Sequence, residues 1–313
     1  MSYVLYSKPY KTSQSLIRDL KNKNLSFHDE QAAENLLNQI SYYHFKIYLH
    51  PLLDTSIPNN KLYKANTFFE DGIQLYRFDE ELRSLLFKVI ARIEVKLRSR
   101  LDHTMSSLNS DPFWYLDNQY FYCAKTIDQT RDRISLDFNR ENELYAKNFR
   151  EKYYNDRHHK YKNLPPFWIS SELISLGQIY RIYDSINFKI SARYPNVLNK
   201  LAAEFGAPNY KVLVNWIQCI RNVRNRCAHH SRVWNAKLTA PSKINPLLTF
   251  LPAKANRPYG SIAALQIMLK TLGINDITLK NKLNDLFNQY PFAKLHMADA
   301  GFPLNWDTDT IWV

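Results

Sequence analysis

Residues 69–101 read FEDGIQLYRFDEELRSLLFKVIARIEVKLRSRL, and this stretch decides the fold class. Its apolar side chains recur every three or four residues, at Leu75, Phe78, Leu82, Leu85, Val89, Ile93 and Leu97. Such spacing places them on one stripe of an α-helix, while charged residues such as Arg77, Glu81 and Lys88 lie off the stripe. The stretch therefore predicts one long helix from about Phe69 to Leu101.

The rest of the chain also favours helices. Glycine supplies 6 of the 313 residues, about 2% against a usual share of about 7%, and strand-like alternation is scarce. Capping residues and prolines predict helices from the N-cap Asp29 to Pro51, from Pro165 to about Tyr183, from Pro195 to Phe205 with Gly206 closing it, from Tyr210 onwards, and over residues 261–286. Residues 128–155 are highly charged and predict an exposed helix or lid. We expect an all-α fold with a core in residues 1–240 and a C-terminal helical extension, residues 241–313, packed on it.

The positions of the glycines exclude several classes of enzyme. The six glycines are never closer than 13 residues apart. The P-loop, the G-x-G-x-x-G dinucleotide loop and the G-x-S-x-G nucleophile elbow each need two glycines within a few residues. Nucleotide-phosphate loops and α/β-hydrolases are thereby excluded.

Cysteine usage and hydropathy favour a cytoplasmic protein. Cys123, Cys219 and Cys227 form no C-x-x-C pair, so neither a zinc ribbon nor a redox dithiol fits, and a sparse, odd number of cysteines suits a reducing cytosol. No stretch approaches the roughly 18 apolar residues of a membrane span, and the N-terminal residues lack the apolar run of a signal peptide. We therefore expect no membrane partner.

Positive charge is concentrated in one part of the chain. The net charge is +13, and the 71 residues 205–275 contain no Asp or Glu. Ten basic residues lie there: Lys211, Arg221, Arg224, Arg226, Arg232, Lys237, Lys243, Lys254, Arg257 and Lys270. A field of one sign favours a polyanion, and interspersed Trp and Tyr suit stacked bases, so we expect a nucleic-acid partner.

The densest polar cluster in this stretch is residues 216–235, WIQCIRNVRNRCAHHSRVWN. It combines guanidinium, amide and imidazole groups, which suffice to cleave RNA without a metal, because the 2′-hydroxyl is an internal nucleophile. Asn225 and His229 share a helix face, whereas Arg224 and His229 lie about 140° apart around an ideal helix. Arg224 and His229 converge only if the helix ends or distorts between them, or if a second subunit contributes.

Residues 223–235, VRNRCAHHSRVWN, closely resemble the RN-x-x-AHH-x-R-x-WN signature of the Abi-like proteins, which act in bacterial abortive infection. Further agreement follows in order along nearly the whole chain: Lys8-Pro9, residues 40–44 (ISYYH), residues 75–79 (LYRFD) with Leu82-Arg83, Ile93-Glu94, Leu97-Arg98, residues 165–168 (PPFW), Glu172, Gly177, residues 300–303 (AGFP) and Trp306. The resemblance extends to the HEPN superfamily, helical domains that often act as metal-independent RNases through an Arg-x4-6-His motif.

The resemblance implies a role for each residue of the cluster. Arg224 would stabilise the phosphate, His229 would act as acid and base, and Asn225 would orient them. RNA would be bound by Arg221, Arg226, His230, Arg232 and Lys237, and Glu94 with Arg98 could be an accessory pair or a plain surface ion pair. No metal and no cofactor is expected. The implied partners are RNA and a second copy of the chain in a homodimer. The resemblance also leaves room for a small regulatory RNA as a further partner.

Two other functions fit the same residues. The basic face could belong to a non-catalytic RNA-binding or sensor module of the same defence system, since many HEPN proteins only bind RNA. Alternatively, the Arg/His cluster could be a protein interface. The activity expected of this chain is that of a metal-independent endoribonuclease in bacterial phage defence.

Overall fold

The structure is a computed structural model that describes residues 3–56 and 61–313. Its α-helices are α1 (Ser13–Lys21), α2 (Glu30–Gln39), α3 (Tyr42–Phe45), α4 (Phe69–Ser106), α5 (Ala124–Arg140), α6 (Leu144–Lys152), α7 (Phe167–Leu173), α8 (Leu176–Ser185), α9 (Ile190–Arg193), α10 (Val197–Ala203), α11 (Tyr210–Ala228), α12 (Pro258–Thr271), α13 (Leu279–Gln289) and α14 (Pro291–Leu295). Short 3-10 segments join several of them, and within the described ranges β-type pairing is confined to single bridges. The predicted all-α fold is confirmed.

The long helix predicted from the opening stretch is α4. It begins at Phe69 as predicted and runs to Ser106, five residues beyond the predicted end. Its buried stripe comprises Leu75, Phe78, Leu82, Leu86, Val89, Ile93 and Leu97, so Leu86 takes the core position that the spacing gave to Leu85.

Two helices that the spacing predicted as continuous are broken by a serine cap. The helix capped by Asp29 ends at Gln39 and not at Pro51, because the Ser41 hydroxyl accepts a hydrogen bond from the Tyr43 N–H and starts α3. The helix from Pro165 is likewise divided into α7 and α8, where Ser175 forms a capping box with Gln178. In both places the side-chain oxygen replaces a helical backbone partner and starts a new helix. By contrast, the helix closed by Gly206 is confirmed as α10, with Gly206 at φ +72°.

The charged segment 128–155 differs from its prediction. Most of it lies in α5 and α6, and α5 packs against α7 and α8. Arg131 is fully buried on α5, where it donates hydrogen bonds to the Tyr115 carbonyl and to Asn118. The prediction of an exposed helix is therefore wrong for α5, because Arg131 and the apolar residues Ile127, Ile134 and Phe138 are buried.

The described chain divides into two compact units. Unit 1 comprises Met1–Glu81 and Leu283–His296, and unit 2 comprises Leu82–Lys282 and Met297–Val313. Neither boundary falls at residue 240, and the predicted division into a core and a packed extension stays a prediction. Among the described residues, no helix is both long and apolar enough to cross a membrane.

The core of unit 2 holds α11 in place. Helices α8, α10 and α12 pack against α11. The buried Tyr210 at the start of α11 donates a hydrogen bond to the Tyr183 carbonyl at 2.8 Å, and Tyr183 donates to the Leu97 carbonyl of α4 at 2.9 Å. These two hydrogen bonds connect α11 to α8 and α8 to α4.

Candidate functional site

Helix α11 carries the Arg/His cluster, and its amphipathic sequence explains where the cluster lies. Asn209 caps its start by accepting a hydrogen bond from the Val212 N–H at 3.0 Å. The apolar residues of α11 are buried, among them Leu213, Trp216, Ile217, Ile220 and Val223. The arginines and Asn225 follow between these positions, so they emerge at the edge of the buried face or in solvent.

The C-terminal end of α11 is a Schellman turn. The Ser231 N–H donates to the Arg226 carbonyl at 2.8 Å and the His230 N–H to the Cys227 carbonyl at 3.2 Å. His230 adopts φ +53°, the left-handed conformation that this turn requires. Both His229 and His230 are exposed at this turn.

The turn leaves Arg224 and His229 on different sides of the helix. The His229 N–H still donates to the Asn225 carbonyl at 3.0 Å, a regular helical bond, so the chain departs from α11 only after His229. The angular offset of about 140° expected from ideal geometry therefore persists between Arg224 and His229. Asn225, one turn before His229, is exposed.

Arg221 and Arg224 are backed by aromatic rings from neighbouring helices. The Arg221 guanidinium lies 4.6 Å from the Tyr180 ring centroid on α8, and that of Arg224 lies 5.6 Å from the Phe87 ring on α4. Each arginine is half-buried, and neither Nε atom has a hydrogen-bond partner in the part of the chain that is described. Neither guanidinium forms a salt bridge within the described residues, so both oriented cations suit an anionic ligand.

The other arginines of the cluster bond within the protein. Arg226 donates through Nη1 to the Arg232 carbonyl at 3.0 Å, and the Arg232 guanidinium donates to the Asn235 side chain. Arg257 donates to the Asn235 carbonyl. Trp234 is buried beneath this turn, whereas Lys237 is exposed. The segment after His229 is therefore held by its own arginines.

Glu94 and Arg98 form an i,i+4 ion pair on α4, with only 12% and 19% of their side chains exposed. Arg98 also donates to the Ile174 carbonyl at 2.8 Å, in the break between α7 and α8. The pair is thus shielded, not a solvated surface pair. It ties α4 to the segment that precedes Tyr180.

One cysteine of α11, Cys219, is buried with the apolar residues of the helix. Burial raises the pKa of Cys219 on α11 to about 12, so its thiol stays protonated at neutral pH. Within residues 3–56 and 61–313, no group of three or more His, Cys, Asp or Glu is arranged to hold a metal ion.

A comparison with known families identifies a match. The family model described as Abi-like protein matches residues 35–235, which is more than half of the chain and ends at Asn235 of the turn after α11. The chain belongs to the Abi-like protein family. Searches among curated proteins and among solved structures give no match.

Membership of the Abi-like family indicates a role in abortive-infection defence. The matched range includes every candidate catalytic residue, Arg224, Asn225 and His229, and excludes Lys237. It also includes Phe87 and Tyr180, which sequence analysis did not assign to the site. Tyr180 has helical spacing with other apolar residues and so resembles a core position, and nothing near Phe87 in sequence indicates that Arg224 would lie against it.

Proposed function

We propose that this Abi-like protein is a metal-independent endoribonuclease that acts in the cytoplasm of bacteria during abortive infection. One observation carries the proposal: aromatic rings hold the half-buried guanidinium groups of Arg221 and Arg224, which form no salt bridge within the described residues, on the helix that ends at the exposed His229. The surrounding 71 residues lack any carboxylate that would compete with a phosphate for these cations.

The chemistry follows from these groups. The imidazole of His229 takes the proton of the RNA 2′-hydroxyl, whose oxygen attacks the neighbouring phosphorus. The bond from phosphorus to the 5′-oxygen then breaks, and the imidazolium of His229 returns the proton to that leaving oxygen. Arg224 stabilises the charge that accumulates on the phosphate oxygens, and Arg221 holds the adjacent phosphate. The products are a 2′,3′-cyclic phosphate and a 5′-hydroxyl.

The remaining candidates have supporting roles. Asn225 orients the phosphate beside His229, and the exposed His230 and Lys237 contact the RNA backbone. Arg226 and Arg232, which fix the turn, also bind flanking phosphates. Glu94 acts through Arg98 by holding the segment before Tyr180, so it is a positioning residue.

We place the active site between two copies of the chain. A single copy keeps Arg224 and His229 about 140° apart, so one phosphate meets both groups most readily when two copies face each other.

The homodimer is tested by mixing two inactive variants. In a one-to-one mixture of Arg224→Ala and His229→Ala chains, half of the dimers are mixed and each restores one of two composite sites, so about a quarter of the activity should return. No recovery in mixtures that form dimers by light scattering would place both groups of a site in one copy and contradict the shared site.

The angular offset also favours a second function, a non-catalytic RNA-binding or sensor module that uses a small RNA as ligand. In that case a single copy binds phosphates through Arg221 and Arg224 and cleaves nothing. Incubation of purified protein with RNA in EDTA separates the two functions. A nuclease gives 2′,3′-cyclic phosphate ends that disappear in His229→Ala while RNA affinity remains, and DNA of the same sequence binds but stays intact. Cleavage that needs added Mg²⁺, or that survives His229→Ala, would reject the proposed mechanism.

A further inference from the structure

Unit 1 contains a cleft of about 730 Å³, which lies within the range of about 300–1,000 Å³ typical of ligand sites. It is lined by the irregular N-terminal segment around residues 6–11, by α1, by the end of α2 and by the start of α3. We call it the N-terminal cleft. None of its lining residues belongs to the cluster at the end of α11.

Tyrosine rings line the cleft in unusually exposed positions. Tyr6, Tyr10 and Tyr43 are 80%, 91% and 79% exposed. The Lys46 ammonium lies 4.2 Å from the centroid of the Tyr43 ring, so this ring is held beside a cation. Rings this exposed contribute little to the core, yet three of them border one cavity.

The charge of the cleft is positive. Lys8 and Lys23 line it, and within the described residues neither forms a salt bridge. One carboxylate, Asp19, is also among the lining residues, and it is paired with Lys11. The two remaining ammonium groups are therefore available to an anion.

We propose that the N-terminal cleft binds a short stretch of single-stranded nucleic acid, with bases stacked on Tyr10 and Tyr43 and phosphates on Lys8 and Lys23. Flat exposed rings and ammonium groups that line one cleft match a chain of flat bases linked by phosphates. An acidic peptide would use the lysines but not the rings. The inference goes beyond the proposed function, because the cleft binds a strand without cleaving it and lies in a different unit from Arg224 and His229.

The test measures binding of a fluorescent 12-nucleotide oligouridine to the full chain carrying His229→Ala, in EDTA. The double variant Tyr10→Ala/Tyr43→Ala should bind at least about 30-fold more weakly, since each of the two lost base stacks costs about 1 kcal/mol or more. Tyr10→Phe/Tyr43→Phe should bind normally because the rings remain. The matched control is Tyr153→Ala/Tyr154→Ala, two exposed tyrosines beside Lys152 in unit 2, which should bind like the parent.

The salt dependence of binding tests the contribution of Lys8 and Lys23. Lys8→Gln/Lys23→Gln should reduce the slope of log affinity against log salt by about 1.4, at about 0.7 per single-strand phosphate contact. Lys147→Gln/Lys152→Gln, two exposed lysines on α6, should leave that slope unchanged. Equal affinity of the tyrosine double variant and its control overturns the proposal. The proposal is also overturned if the tyrosine double variant loses as much affinity for a polyglutamate peptide as for the oligouridine. Because binding is read without cleavage, an inactive wild-type enzyme would refute the proposed function and leave this test intact.

Discussion

His230 forms the left-handed position of the turn after α11 and, in our proposal, its side chain also contacts RNA. Its φ of +53° is sterically costly for a residue with a Cβ, and three of the six non-glycine residues described with positive φ are asparagines, which tolerate that conformation better. The Schellman turn nevertheless places the exposed imidazole directly after His229. A substitution at this position therefore changes stability and surface chemistry together.

We predict that His230→Gly raises the free energy of unfolding by up to about 1 kcal/mol and that His230→Val lowers it by at least about 1 kcal/mol, because only glycine adopts this φ without strain. Urea unfolding checks both. His230→Gly is then the variant with which to measure the contribution of the imidazole to RNA affinity. Equal stability of the two variants would contradict a strained turn.

Arg224 should not be replaceable by lysine. Lysine keeps the charge but loses the planar, two-pronged contact to phosphate and the stacking on Phe87. We expect Arg224→Lys to reduce the RNA cleavage rate nearly as far as Arg224→Ala. Arg140→Lys, at an exposed position on α5, should leave the rate unchanged. Full activity of Arg224→Lys would mean that charge alone suffices.

The cysteines should differ in reactivity. The backbone N–H of Thr126 stabilises the thiolate of the exposed Cys123 and lowers its pKa, whereas burial raises that of Cys219 to about 12. A lowered pKa extends the thiolate of Cys123 to lower pH, and a raised one keeps Cys219 protonated until strongly alkaline pH. Iodoacetamide at pH 7.5 should therefore label Cys123 in the folded protein and spare Cys219, as peptide mass spectrometry would show. Labelling of Cys219 at the same rate would contradict its burial.

The break between α7 and α8 shows how a cap controls two helices. The Ser175 hydroxyl accepts a hydrogen bond from the Gln178 N–H, and the Gln178 side chain accepts one from the Ser175 N–H. The neighbouring Ile174 carbonyl faces Arg98 of α4. This break fixes the start of α8. It thereby also fixes the side of α8 on which Tyr180 lies.

We predict that Ser175→Ala lowers the free energy of unfolding by about 1 kcal/mol, the usual cost of losing an N-cap. Thermal unfolding followed by circular dichroism measures it. Ser107→Ala, just after α4, removes an exposed hydroxyl that caps no helix start and is the control. An unchanged stability of Ser175→Ala would mean that packing alone defines α8.

Local signals account for what the sequence could predict here. A capping residue (Asp29), a helix-ending glycine (Gly206) and the apolar repeat of α4 can each be recognised from neighbouring residues alone. For that reason α2, α10 and α4 begin or end close to the predicted positions. Ser41 and Ser175 sit inside apolar patterns that continue past them, and spacing alone does not reveal that their hydroxyls capture a backbone N–H. The aromatic backing of Arg221 and Arg224 depends on α4 and α8 meeting α11, a tertiary contact that no local pattern encodes.

For the molecule as a whole, the notable feature is that both units are discontinuous in sequence. The helical segment Leu283–His296 belongs to unit 1 although about 200 residues separate it from Glu81. Within unit 1, Phe287 stacks on Phe78 with ring centroids 5.2 Å apart, and the Tyr290 hydroxyl donates to Glu81 at 2.6 Å. The late segment completes the core that the first 81 residues begin.

We predict that Phe287→Ala destabilises unit 1 by about 3–5 kcal/mol, the usual cost of truncating a buried phenylalanine. Hydrogen exchange should speed up in α1, α2 and the first turns of α4. Leu295→Ala, exposed in the same late segment, should have little effect. Unchanged exchange in those helices would show that the late segment contributes nothing to unit 1.

The discontinuity of unit 1 also sets an order of events during synthesis. At roughly 5–20 residues per second, the ribosome needs on the order of 10–40 s to proceed from Glu81 to Leu283. Throughout that interval Phe78 lacks its packing partner Phe287, so the core of unit 1 is incomplete. We expect the growing chain to depend on chaperones in this window, so a cell short of chaperone capacity would lose this protein through misfolding before translation ends.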